Sequence, residues 1–158
     1  MEKFNKILKN QKFLDNLEYI RKVEKTRVYC GHDINHLFDT ARICYIINLE
    51  EDLGFDKEII YSMAILHDIG RSEQYKNNTP HDIAGVNIAT DILLECGFNN
   101  QEIDTITTAI SGHRQNQNTK SLQNLLYRAD KLSRLCFSCG VEKSCYWDKD
   151  KKNFDINY

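Results

Sequence analysis

Apolar residues along this 158-residue chain recur three or four positions apart and almost nowhere alternate, which predicts an all-helical protein. Residues 3 to 25 read as an opening helical region of one or two helices, with Phe13, Leu17 and Ile20 on one side. Next, Ile34, Leu37, Phe38, Ala41, Cys44 and Tyr45 repeat the i, i+3, i+4, i+7 spacing of a packed face behind Asp33 as N-cap, in a helix that ends before Gly54. Residues 56 to 68 are apolar on most sides, as in a helix buried mid-domain; Asp56 is placed to cap it and Gly70 to stop it. Ser72 to Pro80 reads as a loop. Helices follow over 82 to 96, with Asp82 as N-cap and Gly97 as stop, over 100 to 112, and over 121 to 138. The closing stretch, KSCYWDKDKKNFDINY, is mixed in charge and carries no readable element.

This length suits a single domain with a real hydrophobic core. Its parts are a core of about residues 32–135, the N-terminal helical region 3–25, and a cysteine-containing tail 136–158. A hydrophobic fraction of 41%, a charged fraction of 28% and a formal net charge of −2 argue against a general surface for a nucleic-acid polymer. The first residues alternate charged and apolar, unlike an export signal, and no apolar run approaches membrane-spanning length, so a cytoplasmic location is expected. Six cysteines in such a chain are expected as reduced thiols. Cys136, Cys139 and Cys145 form a C-x2-C-x5-C pattern, one thiol short of a four-thiolate site; the missing ligand would have to come through the fold from Cys30, Cys44 or Cys96. Packing of Cys136 as a small apolar residue beside a reduced loop is the simpler expectation. Tyr146 and Trp147 are expected to cover the domain or part of a cleft.

The chemistry starts with SMAILHDIGR, where the buried helix runs straight into His67 and Asp68. Burying such a pair without partners costs roughly 1–3 kcal/mol, and more if a charge is unpaired. All five histidines, His32, His36, His67, His81 and His113, fall at or near element ends. Three are followed by aspartate, so the dipeptide alone does not mark a site. His36 shares a face with Thr40, Ile43 and Ile47; His113 extends the stripe of Ile103, Ile106 and Ile110; Asp130 borders the stripe of Leu122, Leu125, Leu126 and Ala129. Singly, each reads as a hydrogen-bonded core residue. Together, several helices bring His or Asp toward one interior, and a shared cation satisfies all of them at once.

His36, His67-Asp68 in AILHDIGR, and Asp130 in YRADKL, with GHDINH before the first, resemble the H…HD…D signature of HD-domain metal-dependent phosphohydrolases. The resemblance implies a single-domain helical bundle with a metal site between core helices. It implies His36, His67, Asp68 and Asp130 as ligands of one ion, with His32 the alternative to His36, because Asp39 stands where the family often has an arginine. In two-metal members, histidines ordered like His81 and His113 complete a second site, with Asp68 bridging. One or two divalent transition metals per chain, from Fe, Mn, Co, Ni or Zn, suit imidazole and carboxylate donors.

Asp68 as the shared carboxylate, with Arg71, Arg114 and Lys131 close behind the ligand motifs, form the expected catalytic set, the cations facing an anionic substrate. For Arg71 and Arg114, complementing a helix C-terminus is the alternative role. The expected function is hydrolysis of a phosphoester or phosphoanhydride in a small molecule, nucleotides leading, by metal-activated hydroxide. A di-iron oxygenase on the same scaffold, similar to inositol oxygenase, and an inert metal- or nucleotide-binding regulatory domain are the rivals. Oligomeric state has no sequence signal.

Overall fold

A computed structural model describes residues 1–112 and 119–158, and among them every regular element is helical. The opening region is two helices, α1 (Glu2–Ile7) and α2 (Gln11–Val23), because Asn10 caps the second by accepting from the Phe13 amide at 3.1 Å. Then come α3 (Ile34–Glu50), α4 (Lys57–Leu66), α5 (Arg71–Asn77), α6 (His81–Cys96), α7 (Asn100–Gly112) and α8 (Leu122–Leu132), with short 3-10 turns after α2 and in the tail. Asp33 caps α3 through the His36 amide, Asp56 caps α4, and Gly97 closes α6 in the left-handed region at φ 87°.

Helix α4 lies at the centre. It packs between α3 and α7, α8 lies along α3, and α6 covers α7. Met63, Ala64, Ile65 and Leu66 are all fully buried, as the all-round apolar pattern requires. Helices α1 and α2 close the outside against α4, α5 and α6.

Three boundaries differ from the sequence expectation. Ser72 to Pro80 is mostly helix: α5 has one buried side chain, Ser72, and is held by Glu73 pairing with Lys76 and Asn77, then stopped by Asn78 at φ 58°. Helix α8 ends at Leu132 rather than 138. The Ser133 hydroxyl takes the Asp130 carbonyl, while Asn153 and Tyr158 from the tail both donate to the Leu132 carbonyl, so the last turn is satisfied from outside the helix. Asp82 is not a cap, since Pro80 holds that position and Asp82 sits in the first turn of α6.

Gly70 does not stop α4 either. It lies at the N-cap of α5, in right-handed backbone, where a Cβ would run into the His81 carbonyl and the Gly85 backbone of α6. Its role is close approach. Gly70→Ala should therefore lower the unfolding free energy by about 1–3 kcal/mol in chemical denaturation. Gly140→Ala, where a Cβ meets nothing within 4 Å, should leave it unchanged.

Candidate metal centre

The imidazole that ends α4 answers a backbone need first. His67 is the C-cap, and its Nδ1 donates to the Ala64 carbonyl at 2.7 Å, satisfying one of the acceptors orphaned at the helix end. That bond leaves Nε2 facing inward, 3.1 Å from Asp68 Oδ2 and 3.8 Å from Asp130 Oδ1. His36, in the first turn of α3, is fixed the same way. Ser133 Oγ donates to the Asp130 carbonyl, so it accepts from His36 Nδ1 at 2.9 Å, and His36 Nε2 lies 3.5 Å from Asp68 and 3.4 Å from Asp130. Each ring is held by an outer hydrogen bond from Nδ1 that turns Nε2 inward, where it becomes a ligand atom once it carries no proton.

Two more histidines face the same carboxylate. His32 Nδ1 donates to Glu24 at 2.6 Å and its Nε2 lies 3.9 Å from Asp68 Oδ2; His81 Nδ1 lies 3.2 Å from Gln74 Oε1 and its Nε2 lies 3.7 Å from Asp68 Oδ1. Asp68 Oδ1 also accepts from Arg71 Nε at 2.8 Å. Its two oxygens thus serve two sides: Oδ2 the His36 and His67 side, Oδ1 the His81 and Arg71 side. Asp68 and the four histidines around it are all buried.

His36, His67, Asp68 and Asp130 each offer one ligand atom, and these atoms all lie within 4.8 Å of one another. The donor set is imidazole and carboxylate with no thiolate, which fits a divalent transition metal. Arg134 Nη2 donates to His36 Nε2 at 2.8 Å, a lone pair that serves either the guanidinium or an ion. Burial pushes the His36 pKa down to about 4, so that ring is neutral at pH 7. Burial opposes protonation of His67 too, but Asp68 and Asp130 together outweigh it and raise its pKa to about 9. Both aspartates are held well below the usual carboxylate range, against the burial cost, with His67 the chief cause.

The structure brings together His36, His67, Asp68, His81 and Asp130, places Arg71 on Asp68, and places Lys131 in contact with Asp130. His113 and Arg114 lie outside the described residues. His32, weighed in the sequence only as a substitute for His36, stands beside it with ring centres 5.9 Å apart. Glu24, Ser133, Gln74 and Arg134 went unread, because each is an ordinary polar residue until the fold delivers it. Glu24 itself is held to a pKa of about 2: burial raises it, and His32 with the Tyr75 hydroxyl more than offsets that.

Fold and site together define an all-helical protein with a buried His–Asp cluster able to hold a divalent cation. The HD domain family model matches residues 33–135, and the chain belongs to that family. An uncharacterized protein of Clostridium beijerinckii is 49% identical over the full length of both chains. Ribonuclease Y of Clostridium kluyveri is 23% identical over 82% of this chain, which spans 28% of that protein's length. The fold is similar to the crystal structure of a predicted HD superfamily hydrolase from an uncultured Thermotogales bacterium, with TM-score 0.63, 23% identity, and coverage of 89% of this chain and 81% of that one.

Two predictions follow from the geometry. Ser133→Ala removes the partner of His36 Nδ1 and should weaken Mn2+ binding by about 10–100-fold in a chelator competition assay. Ser121→Ala, which removes only the α8 cap, should not. The raised His67 pKa contributes stability that is complete below the ordinary histidine value of 6.5 and is lost as pH rises through about 9. Chelated protein should accordingly melt at falling temperature across that window, and saturating Mn2+ should flatten the trend.

Proposed function

We propose that this protein is a metal-dependent phosphohydrolase acting on a small phosphorylated molecule, with a nucleotide the leading class. The observation that carries the reading is a cavity of about 380 Å³ that opens directly on Asp68, Asp130, His32 and His81 and has Arg27, Arg71, Lys131, Arg134 and Lys151 in its lining. Five cations against a buried carboxylate centre suit an anion brought to a metal. Tyr29, Tyr127, Tyr146 and Trp147 line the same cavity and supply faces for a base.

A divalent ion held by His36, His67, Asp68 and Asp130 would supply Lewis acidity and an activated water. On the Oδ1 side of Asp68, His81 is the described candidate for a second ion. The protein's own groups do the rest. Arg71 neutralises Asp68 and keeps its Oδ1 oriented. Lys131, part-exposed beside Asp130 and 5.3 Å from the Trp147 ring centre, is placed to meet a phosphoryl oxygen at the cavity wall. No serine or cysteine nucleophile is required.

The similarity to ribonuclease Y makes an RNA phosphodiester the competing substrate, and the oxygenase and inert-domain readings remain its rivals. A panel of nucleoside mono-, di- and triphosphates, dinucleotides and short RNA, assayed with Mn, Fe, Co, Ni and Zn, tests the proposal. Phosphate or nucleotide release from a small substrate supports it. Cleavage of RNA alone, oxygen consumption without phosphate release, or metal binding with no turnover overturns it.

Asp68→Ala should abolish activity and lower metal content, read by assay and mass spectrometry. Asp56→Ala, which removes the α4 cap, should keep both and lose about 0.5–2 kcal/mol of stability.

A further inference from the structure

The tail after α8 poses a packing problem that the helical core does not explain. Residues 136–158 hold three 3-10 turns and no longer helix, and of their side chains Cys136 and Asn153 are the buried ones. Phe137, Tyr146, Phe154 and Ile156 are all exposed by 40% or more. A segment with so little apolar burial cannot offset its ordering entropy from a core of its own. Small lobes of this kind are commonly held by a structural metal.

The same segment carries the C-x2-C-x5-C pattern, and the fold supplies the missing thiol. Cys136 and Cys139 flank a tight turn closed by the Cys139 amide on the Cys136 carbonyl at 3.2 Å. Cys30, in the loop before α3, lines one cavity with Cys136 and Cys139 and the neighbouring cavity with Cys145. The loop and the tail are pinned together next to it: Tyr29 donates to the Ser144 carbonyl at 2.9 Å, and its ring meets Tyr146 edge-on at 5.7 Å. Burial pushes the Cys30 thiol up, Arg134 opposes, and the nearby Cys136, Cys145 and Cys139 add to the rise. The remaining two cysteines, Cys44 and Cys96, are buried in the helical core. Six cysteines therefore divide into two that pack and four that line two neighbouring cavities sharing Cys30.

We propose that Cys30, Cys136, Cys139 and Cys145 form a structural zinc site, separate from the His–Asp centre, that ties the tail to the loop before α3 and so holds the aromatic wall of the cavity. Four thiolates are the donor set of a closed tetrahedral zinc site, with bonds of about 2.3 Å. In the structure no three of these sulfurs lie within 4.8 Å of one another, so zinc must draw the thiols in by side-chain rotation. Arg134 on one side and Lys152, which pairs with Glu142 at 2.8 Å, on the other would help balance the excess negative charge.

The test uses full-length untagged protein, reduced, stripped with chelator and loaded with Co2+. The expected result is intense thiolate-to-cobalt charge-transfer absorption, bleached by zinc, retained in Asp68→Ala and Cys96→Ser, and lost in Cys139→Ser and Cys145→Ser. Should those serine variants not fold, wild-type protein decides alone: zinc should protect Cys139 and Cys145 from alkylation, with the modified peptides located by mass spectrometry. Absence of the band in reduced wild-type protein, its loss in Asp68→Ala, alkylation unaffected by zinc, or iron–sulfur absorption in protein purified without oxygen would each overturn the assignment. None of these readouts depends on hydrolase activity.

Discussion

The Asp68 carboxylate is buried at the junction of four helical elements, and the rest of the structure is arranged around keeping it charged there. An isolated carboxylate in such a place would neutralise or unfold the region. Asp68 instead meets His67, His36, His32, His81 and Arg71, each from a different direction. The partners come from the loop before α3, from α3, from the end of α4, from the start of α5 and from the start of α6. Satisfying this one group therefore fixes how those elements meet, and Gly70 lies where the start of α5 comes too close to α6 to admit a Cβ.

A second layer of hydrogen bonds turns that junction into a directional site. Ala64, Ser133, Glu24 and Gln74 engage the outer nitrogens of the four described histidines, so the inner nitrogens converge on Asp68. The layer also serves the backbone. His67 closes the end of α4, and Ser133 closes the end of α8 while holding His36. Helix termination and ligand orientation are thus one arrangement, which explains why an apolar helix ends in an imidazole and an aspartate.

How much of this the sequence reveals depends on how local each determinant is. The apolar stripes of α3, α4, α6, α7 and α8 and the caps Asp33, Asp56 and Gly97 are read from neighbouring residues, and the phrases around His36, His67-Asp68 and Asp130 are read from a family pattern. Helix α5 was missed because about two turns with a single buried serine have no stripe to detect. The end of α8 was missed because its stop comes from Asn153 and Tyr158, more than twenty residues away. Gly70 was read by the rule for helix ends, whereas its true constraint is a neighbour eleven to fifteen residues on. Glu24, Gln74, Ser133 and Arg134 carry no pattern at all until folding places them against a histidine.

The boundary of the family match separates two kinds of information. Residues 33–135 contain His36, His67, Asp68, His81 and Asp130, and thus the His–Asp cluster. Much of the cavity wall lies outside them: Arg27, Tyr29, Cys30 and His32 precede the match, and Cys145, Tyr146, Trp147 and Lys151 follow it. Family membership consequently says little about what the cavity admits, because half of its lining comes from flanking segments with their own means of support. The wall on the tail side has little buried apolar surface beneath it and is joined to the opposite wall through Tyr29, Ser144 and Tyr146. Whatever holds those two segments together sets the width of the cavity, and Cys30, Cys136, Cys139 and Cys145 lie at that seam.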